Sequence, residues 1–327
     1  RCDHPDIEAF IETKKDPREL RHFNLSVLIT DDFMQALKHD ADWPLVFPVQ
    51  HLNEESSSNQ TVVQRVWSGS PEEQDCRILK VVKARALWHK IMQANYHYAE
   101  PGVLFIDRIN QQNNLGYREQ INATNPCGEI PLPPYGACNL GSINLTQFVQ
   151  QPFTTNAQLD MQAVGKTVEV AVRLLDNVID LSHFPLSAQR YQAVGSRRIG
   201  LGMTGLADTL IMLGLRYGDP ESHQQAGRIM QTICHSAYRS SISLAQEKGA
   251  FNFFNKQAYL QQPFIQALPE EIQQGIADYG IRNSHLTAIA PTGTISLLAN
   301  NISSGLEPVY HLDYQRKILQ MDGSYKT

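Results

Sequence analysis

The sequence predicts an α/β fold with mainly parallel strands. Short apolar runs alternate along the 327 residues with longer segments whose apolar residues recur at helical spacing. One run, Val103 to Ile106, follows the chain-breaking pair Pro101-Gly102 and is typical of a buried strand. In the second half, an apolar stripe marks a long helix. Strands that alternate with helices in this way favour a parallel sheet.

The first half predicts five elements and one insertion. Residues 52–76 are rich in polar residues, Gly and Pro, and we expect them to form a surface insertion. The elements expected around it are a helix over 6–13, a strand over 23–29, a helix from Asp31 or Asp32, a helix over 84–98 and a strand over 103–106.

The second half is predicted to be mostly helical. Residues 125–145 are dense in Pro, Gly, Cys and Asn and separate the halves. We expect helices over 200–213 and 221–248, the latter closed by Gly249. A short apolar run, 286–290, precedes a turn and another helix start. The stripe of the long helix comprises Val164, Val168, Ala171, Leu175, Val178 and Ile179.

Composition excludes several classes of protein. A hydrophobic content of 42% with 19% charged residues describes a globular chain and excludes disorder. No apolar run approaches the roughly 20 residues that cross a bilayer, so we expect no membrane association. Lys and Arg number 28 against 33 Asp and Glu, a net charge of -5 without a basic block. We therefore expect no nucleic-acid partner, while a compact anionic substrate remains possible.

The five cysteines, at positions 2, 76, 127, 138 and 234, are odd in number and irregularly spaced. This pattern argues against a secreted disulfide framework, and no Cys-x-x-Cys pair offers a zinc site. The chain begins at Arg1 without a signal peptide, and we expect it to be a piece of a longer cytoplasmic protein.

The segment Asn125-Pro-Cys127-Gly-Glu129 is the strongest candidate for chemistry. In an extended segment alternate side chains share a face, so an amide, a thiol and a carboxylate are expected side by side. A Pro/Gly turn with a buried cysteine is the alternative on the local pattern alone.

A second candidate is a phosphate-binding turn over residues 291–296. Exposed N–H groups at a helix start, together with hydroxyls, suit a phosphate, although an ordinary helix cap has the same pattern. The candidate residues are Pro291, Thr292, Gly293, Thr294, Ile295 and Ser296.

The glycines at 200, 202 and 205 match a dinucleotide-binding pattern, but residues 191–198 before them are polar and cannot form a buried strand. Close helix packing is the expected reason for these glycines. Arg197 and Arg198 have two interpretations, a position near a nucleotide or a solvated face.

Residues 125–145 closely resemble the active-site segment of ribonucleotide reductases. Further blocks resemble the family in its order, and together they cover nearly the whole chain. Because Pro and Gly flank the cysteine, the segment looks most like the adenosylcobalamin-dependent form. The further blocks are residues 4–11, 23–27, 98–103, 105–108, 197–202, 205–208, 290–296 and 304–308.

The resemblance implies a role for each candidate residue. Cys127 would carry the thiyl radical that abstracts the ribose 3′-hydrogen, Glu129 would be the general base on the 3′-hydroxyl, and Asn125 would hold the sugar. Cys138 would be one of two reducing cysteines, with its partner upstream of this chain, and Cys2 does not match that partner. The turn 291–296 would bind the substrate phosphates.

The resemblance also implies a ten-stranded α/β barrel with an internal finger loop. Residues 1–327 would form a single catalytic domain that lacks the family's first redox cysteine and carboxy-terminal shuttle cysteines. The implied ligands and partners are adenosylcobalamin, a ribonucleoside di- or triphosphate, nucleotide effectors, a thioredoxin-like reductant and a second copy of the chain.

Three alternatives stay open. The chain could come from a class I reductase, in which a separate metal protein supplies the radical. A glycyl-radical enzyme is disfavoured because its glycine motif is not present. A non-catalytic nucleotide-binding paralogue is disfavoured because it has no use for the thiols.

Overall fold

The computed structural model describes residues 1–16, 18–20, 22–52, 61–67, 72–313, 315, 317–320 and 324–326. Contacts divide the chain into two compact units, and the chain passes between them more than once. The first unit comprises Arg1–Cys138, Ile179–Arg198 and Ile242–His285; the second comprises Asn139–Val178, Ile199–Ser241 and Leu286–Thr327. That residues 1–327 act as one catalytic domain stays a prediction.

The secondary structure is mixed, which confirms the predicted α/β class. The expectation of mainly parallel strands is wrong: within the described ranges two strand pairs are parallel and five are antiparallel. The helices are α1 (Ile7–Glu12), α2 (Asp31–Lys38), α3 (Ala84–Tyr98), α4 (Ile106–Gln111), α5 (Met161–Leu181), α6 (Ser187–Ser196), α7 (Leu206–Met212), α8 (Pro220–Lys248), α9 (Lys256–Leu260), α10 (Pro263–Gln266), α11 (Glu270–Tyr279) and α12 (Gly293–Leu298). The strands are β1 (Ser26–Ile29), β2 (Asp42–Pro48), β3 (Val62–Val66), β4 (Glu73–Lys83), β5 (Gly102–Phe105), β6 (Ala123–Thr124), β7 (Pro131–Leu132), β8 (Leu140–Asn144), β9 (Val149–Gln150), β10 (Gln158–Leu159), β11 (Gly200–Thr204), β12 (Ile318–Leu319) and β13 (Tyr325–Lys326). Within the described ranges, each helix lacks either the length or the apolar character that crossing a membrane requires.

The first unit is organised on the parallel pair β1 and β5, in which Ser26 lies opposite Gly102. Helix α2 follows β1 directly because the Thr30 hydroxyl caps it, accepting a hydrogen bond from the Phe33 N–H at 3.2 Å. Helix α3 packs on α1 and α2. The predicted strands over 23–29 and 103–106 and the helices from Asp31 and over 84–98 are confirmed. The core they share contains Val27, Ile29, Phe33, Trp43, Leu87 and Ile91.

The predicted surface insertion, 52–76, is partly a sheet. Its described residues include β3 and the start of β4, which lie antiparallel in the order β2-β4-β3. Cys76 is buried in β4. Residues 53–60 and 68–71 lie outside the described ranges.

The second unit contains the parallel pair β8 and β11, with Leu140 opposite Gly200 and Asn144 opposite Thr204. A bridge from Leu201 to Thr287 extends the pairing to the predicted apolar run 286–290. Helix α5 begins at the Asp160 carboxylate, which accepts a hydrogen bond from the Ala163 N–H at 2.9 Å. The predicted stripe is confirmed at four positions that are buried: Val164, Val168, Leu175 and Ile179. Ala171 is half-buried and Val178 is exposed, while Val172, which was not predicted, is buried.

The expected helix over 200–213 is wrong in its first half. Residues 200–204 form β11, every residue of which is buried, and α7 begins only at Leu206. The glycines therefore do not serve helix packing: a Cβ on Gly202 would lie 2.2 Å from the Ala288 carbonyl oxygen. Close approach of two backbones requires glycine at this position.

We expect Gly202→Ala to destabilise the chain by about 1–3 kcal/mol, because a backbone carbonyl has to move to admit the methyl group. The measurement is the urea midpoint of unfolding. Gly227→Ala is the matched control: Gly227 lies in α8, exposed and with open space where its Cβ would be. Its urea midpoint should be unchanged or higher, because alanine in a helix raises the free energy of unfolding by up to about 1 kcal/mol relative to glycine. Equal midpoints for the two variants would contradict the close approach.

Candidate active site

Residues 123–132 form a short β-hairpin whose tip, residues 125–130, carries the predicted catalytic thiol. Strands β6 and β7 pair antiparallel. The Asn125 N–H donates a hydrogen bond to the Ile130 carbonyl at 3.2 Å, and the Gly128 N–H donates to the Asn125 carbonyl at 3.1 Å. Backbone bonds therefore close the tip from both sides.

The extended conformation expected for residues 125–129 is wrong. Gly128 has a φ of 89°, in the left-handed region that favours glycine, and the chain turns back at this point. Alternation of side chains consequently does not place Asn125, Cys127 and Glu129 on one face. Their proximity arises from a tight turn.

The Asn125 side chain is part of that turn. Its Oδ1 accepts a hydrogen bond from the Ile130 N–H at 3.0 Å. Asn24, two residues before β1, supports the tip as well, because its Nδ2 donates to the Pro126 carbonyl at 2.8 Å. Sequence reasoning missed Asn24, although it lies in one of the blocks that resemble the family.

Two reactive side chains of the tip have different environments. The Cys127 thiol is exposed, so a reactant can reach it. Glu129 is half-buried, and its Oε2 is a buried oxygen that accepts no hydrogen bond within the described part of the chain. A buried oxygen of this kind is costly unless a ligand supplies a donor.

Cys138 lies within electrostatic reach of the tip. Partial burial and the negative charge of Glu129 raise the pKa of the Cys138 thiol, Cys127 adds to this, and the positive charge of Arg198 opposes it. The structure therefore brings Cys127, Glu129 and Cys138 into one neighbourhood. By contrast, Cys2 and Cys76 are buried, and burial raises the pKa of Cys234 in α8 to about 11.

The solvated face considered for Arg197 and Arg198 is wrong, because both side chains are buried in ion pairs. Arg197 binds Asp180, with Nη1 2.7 Å from Oδ1. Arg198 pairs with Glu119, and each side chain is only 7% exposed. Sequence reasoning could not find these pairs, since the partners lie far away along the chain.

His285 is a further polar residue near Arg198 that the sequence did not single out. Its Nε2 lies 3.1 Å from Asn113 Oδ1, and its Nδ1 lies 3.0 Å from the Ser284 hydroxyl. Burial, together with the charge of Arg198, lowers the pKa of His285 well below its usual value. The imidazole is therefore neutral at physiological pH.

The predicted phosphate turn lies in the second unit, at the start of α12. Two of its hydroxyls are already engaged. Thr292 shares a hydrogen bond of 2.8 Å with the Thr204 hydroxyl and accepts another from the Gly305 N–H at 2.7 Å. Ser296 donates to the Gly293 carbonyl at 3.0 Å. These hydroxyls shape the turn instead of facing a ligand.

The remaining donors of the turn are at its surface. The N–H groups of Gly293, Thr294 and Ile295 open the helix, where a short helix has no internal acceptor for them. Thr294 and Ile295 are exposed, as is Pro291 before them. A ligand at this turn would therefore meet backbone N–H groups and the Thr294 hydroxyl.

Among the residues that the structure describes, no group of three or more His, Cys, Asp or Glu side chains could hold a metal ion.

A family model described as "Ribonucleotide reductase, barrel domain" matches residues 1–326. The chain belongs to this family. The match covers segments of both units, and the family's barrel is the class that the sequence resemblance implied. The structure contains two pairs of parallel strands, β1 with β5 and β8 with β11.

Curated relatives support the same family. The chain is 36% identical over 317 residues to the "Vitamin B12-dependent ribonucleoside-diphosphate reductase" of Mycobacterium tuberculosis (strain H37Rv), covering 97% of this chain and 38% of that protein. A Thermoplasma acidophilum protein of the same name is 35% identical, with 97% and 35% covered. The "Ribonucleoside-diphosphate reductase subunit alpha" of Chlamydia pneumoniae is 30% identical over 339 residues, with 94% and 32% covered. The chain thus spans 32–38% of the length of these three relatives.

In the full-length protein, we expect Glu129→Gln to lower the pKa of Cys138, because a negative charge that disfavours the thiolate is removed. Alkylation of Cys138 by iodoacetamide should then become faster at neutral pH. Fragment-ion mass spectrometry separates Cys138 from Cys127 and follows the rate over a pH series. Cys234 is the internal control, because burial alone raises the pKa of its thiol. An unchanged or upward-shifted Cys138 profile would contradict the neighbourhood described here.

Proposed function

We propose that the protein carrying this chain reduces ribonucleotides to 2′-deoxyribonucleotides by a thiyl-radical mechanism. The observation that carries the proposal is the hairpin tip, where an exposed thiol and a buried carboxylate oxygen without a donor are two residues apart. Membership of the reductase family and the names of the relatives support it.

The proposed chemistry begins and ends at Cys127. Its thiyl radical takes the hydrogen atom from ribose C3′, which restores the S–H bond and leaves a carbon radical. Glu129 would take the proton of the 3′-hydroxyl, and its buried Oε2, which accepts no hydrogen bond from the described residues, supports this role. The 2′-hydroxyl, after protonation, then leaves as water. At the end, Cys127 returns its hydrogen atom to C3′.

Cys138 would supply reducing equivalents. It would act with a second cysteine outside this chain, and the two thiols together provide two electrons and two protons as they become a disulfide. The exposed position of Cys138 supports access by a partner thiol. A thioredoxin-like dithiol would then regenerate the pair.

Adenosylcobalamin is the cofactor that we propose. When bound, it supplies a hydrogen-atom acceptor for the Cys127 thiol. The support is twofold: relatives of 35–36% identity carry vitamin B12 dependence in their names, and Cys127 is open to solvent. Relatives of 28–30% identity are named as large or alpha subunits without it, so the class I alternative is the weaker one.

The proposed substrate is a ribonucleoside diphosphate, in line with the relatives' names. The backbone N–H groups that open α12 are the proposed phosphate-binding groups of this chain. As a separate proposal, Asn125 would hold the sugar through Nδ2, since its Oδ1 is engaged by the Ile130 N–H. Nucleotide effectors and a second copy of the chain are further proposed partners.

The five free cysteines suit a reducing compartment, so we place the reaction in the cytoplasm.

Cys127→Ser in the full-length protein should abolish deoxynucleotide formation while substrate affinity stays within a few-fold. The reason is that serine is close in size, but its O–H bond is too strong for hydrogen-atom transfer. Product formation and equilibrium nucleotide binding are the two measurements. Cys234→Ser, in a half-buried helical position, should keep turnover. Measurable product from Cys127→Ser would rule out the radical role.

Gly293→Val tests the phosphate turn. A side chain at Gly293 meets open space, so folding should be unaffected while the N–H groups become shielded. Charge-assisted hydrogen bonds contribute roughly 1.5–3 kcal/mol each, so loss of one weakens binding about tenfold or more. The probe is a ribonucleoside diphosphate in equilibrium binding. Leu298→Val, at the exposed far end of the same helix, is the control. Equal affinity of the two variants would contradict the site.

A further inference from the structure

We propose that Asn24 is a positioning residue for the reaction, because its side-chain amide holds the peptide bond between Pro126 and Cys127. An ion pair of Lys14 with Glu100 in turn holds the segment that carries Asn24. The proposal rests on the role of Cys127 in the proposed function. Asn24 is not part of the hairpin tip and lies 102 positions before Pro126 in the sequence.

The hydrogen bonds inside the hairpin tip leave the peptide that carries the thiol without support. Each of them runs to or from Asn125. Pro126 has no N–H to donate. Within the described residues, the backbone of residues 126 and 127 makes one hydrogen bond, which the Pro126 carbonyl accepts from Asn24 Nδ2 at 2.8 Å. The thiol-bearing part of the tip is therefore supported from outside the hairpin.

A hydrogen bond to the Pro126 carbonyl also restrains Cys127. Because the peptide bond is planar, the carbonyl oxygen lies in one plane with the Cys127 nitrogen and Cα. Holding that oxygen limits rotation of the plane and so limits movement of the Cys127 Cα. A misplacement of reacting groups by about 1 Å can lower a rate roughly a hundredfold. A restraint on this peptide therefore acts on the rate of hydrogen-atom transfer.

The segment that carries Asn24 is itself held by a largely buried ion pair. Lys14 Nζ lies 3.0 Å from Glu100 Oε2, and the two side chains are 11% and 22% exposed. The residue after Asn24 is fixed because the Leu25 N–H donates to Glu100 Oε1 at 2.8 Å. The residue before it is fixed because Lys14 Nζ donates to the Phe23 carbonyl at 2.7 Å. Asn24 is thus held through the backbone on both sides.

The first experiment compares Asn24→Ala with the unaltered full-length protein by hydrogen–deuterium exchange. The peptide that contains residues 125–130 should exchange about two- to tenfold faster, the factor by which loss of one hydrogen bond shifts a local opening equilibrium. Asn24 is exposed, so both proteins should fold. Asn156→Ala, an exposed asparagine between β9 and β10, is the matched control and should leave this exchange unchanged.

Steady-state kinetics of the same variants separate positioning from a merely structural role. With a ribonucleoside diphosphate as substrate, Asn24→Ala should lower kcat about tenfold while KM stays within a few-fold, since the contact orients the thiol and does not bind substrate. Asn24→Asp has the same shape but a carboxylate that cannot donate to the Pro126 carbonyl, so it should lose as much.

Three results would overturn the proposal. One is unchanged exchange of residues 125–130 in Asn24→Ala. Another is faster exchange with an unchanged kcat. The third is full activity of Asn24→Asp, because the hydrogen bond to the Pro126 carbonyl is lost in that variant.

Lys14→Met tests the ion pair. If Lys14 acts through Asn24, the double variant Asn24→Ala/Lys14→Met should match the kcat of Asn24→Ala within about twofold. Losses of kcat that multiply would show that the pair does not act through Asn24. Should Lys14→Met fail to fold because Glu100 is left partly buried without its cation, Lys14→Met/Glu100→Gln takes its place in the cycle. That variant removes both charges and keeps an acceptor for the Leu25 N–H.

Cys127→Ser separates this proposal from the proposed function. Product formation by Cys127→Ser would remove the thiol from the reaction. The exchange of residues 125–130 in Asn24→Ala needs no turnover and would still report whether Asn24 holds the tip. The two failures are thus distinguishable.

Discussion

Two consecutive buried arginines at the end of α6 constrain the rest of the structure. Arg197 leaves the helix with a φ of 46° and binds Asp180, and Arg198 binds Glu119. A buried guanidinium without a carboxylate costs several kcal/mol, so both pairs have to form when the chain folds. Strand β11 begins at Gly200, two residues after Arg198, and pairs in parallel with β8 from Leu140 onwards. The buried ion pairs therefore immediately precede the parallel pair of the second unit.

Strong helical periodicity made parts of the fold predictable. Helices α3, α5 and α8 match the expected segments closely because their apolar stripes extend over several turns. Strand β11 was missed for a physical reason: it is buried throughout, so it has no alternation, and its glycines serve a backbone contact with Ala288 that only the fold creates. The two-residue strands β6 and β7 are too short to leave any periodic pattern.

Residue types predicted the candidate site better than spacing did. The thiol and carboxylate of the 125–129 segment were found because few other side chains perform hydrogen-atom and proton transfer. The assumption of an extended backbone failed at Gly128, whose positive φ turns the chain. Thr292 and Ser296 look like ligand donors in sequence but bind neighbouring protein groups. Pairs such as Arg198 and Glu119 depend on long-range contacts that a single sequence does not encode locally.

Glu129 Oε2 accepts no hydrogen bond from the residues that the structure describes, and this affects the stability of the folded chain. A buried acceptor without a donor lowers the stability of a folded chain by about 1–3 kcal/mol. A glutamate that found a donor within the protein would make the hairpin tip more stable but less able to accept a ligand's hydroxyl. In the proposed reaction, reduced stability at this position is the cost of leaving Oε2 open to a ligand hydroxyl. A ligand that donates a hydrogen bond to Oε2 is therefore expected to raise the melting temperature of the protein.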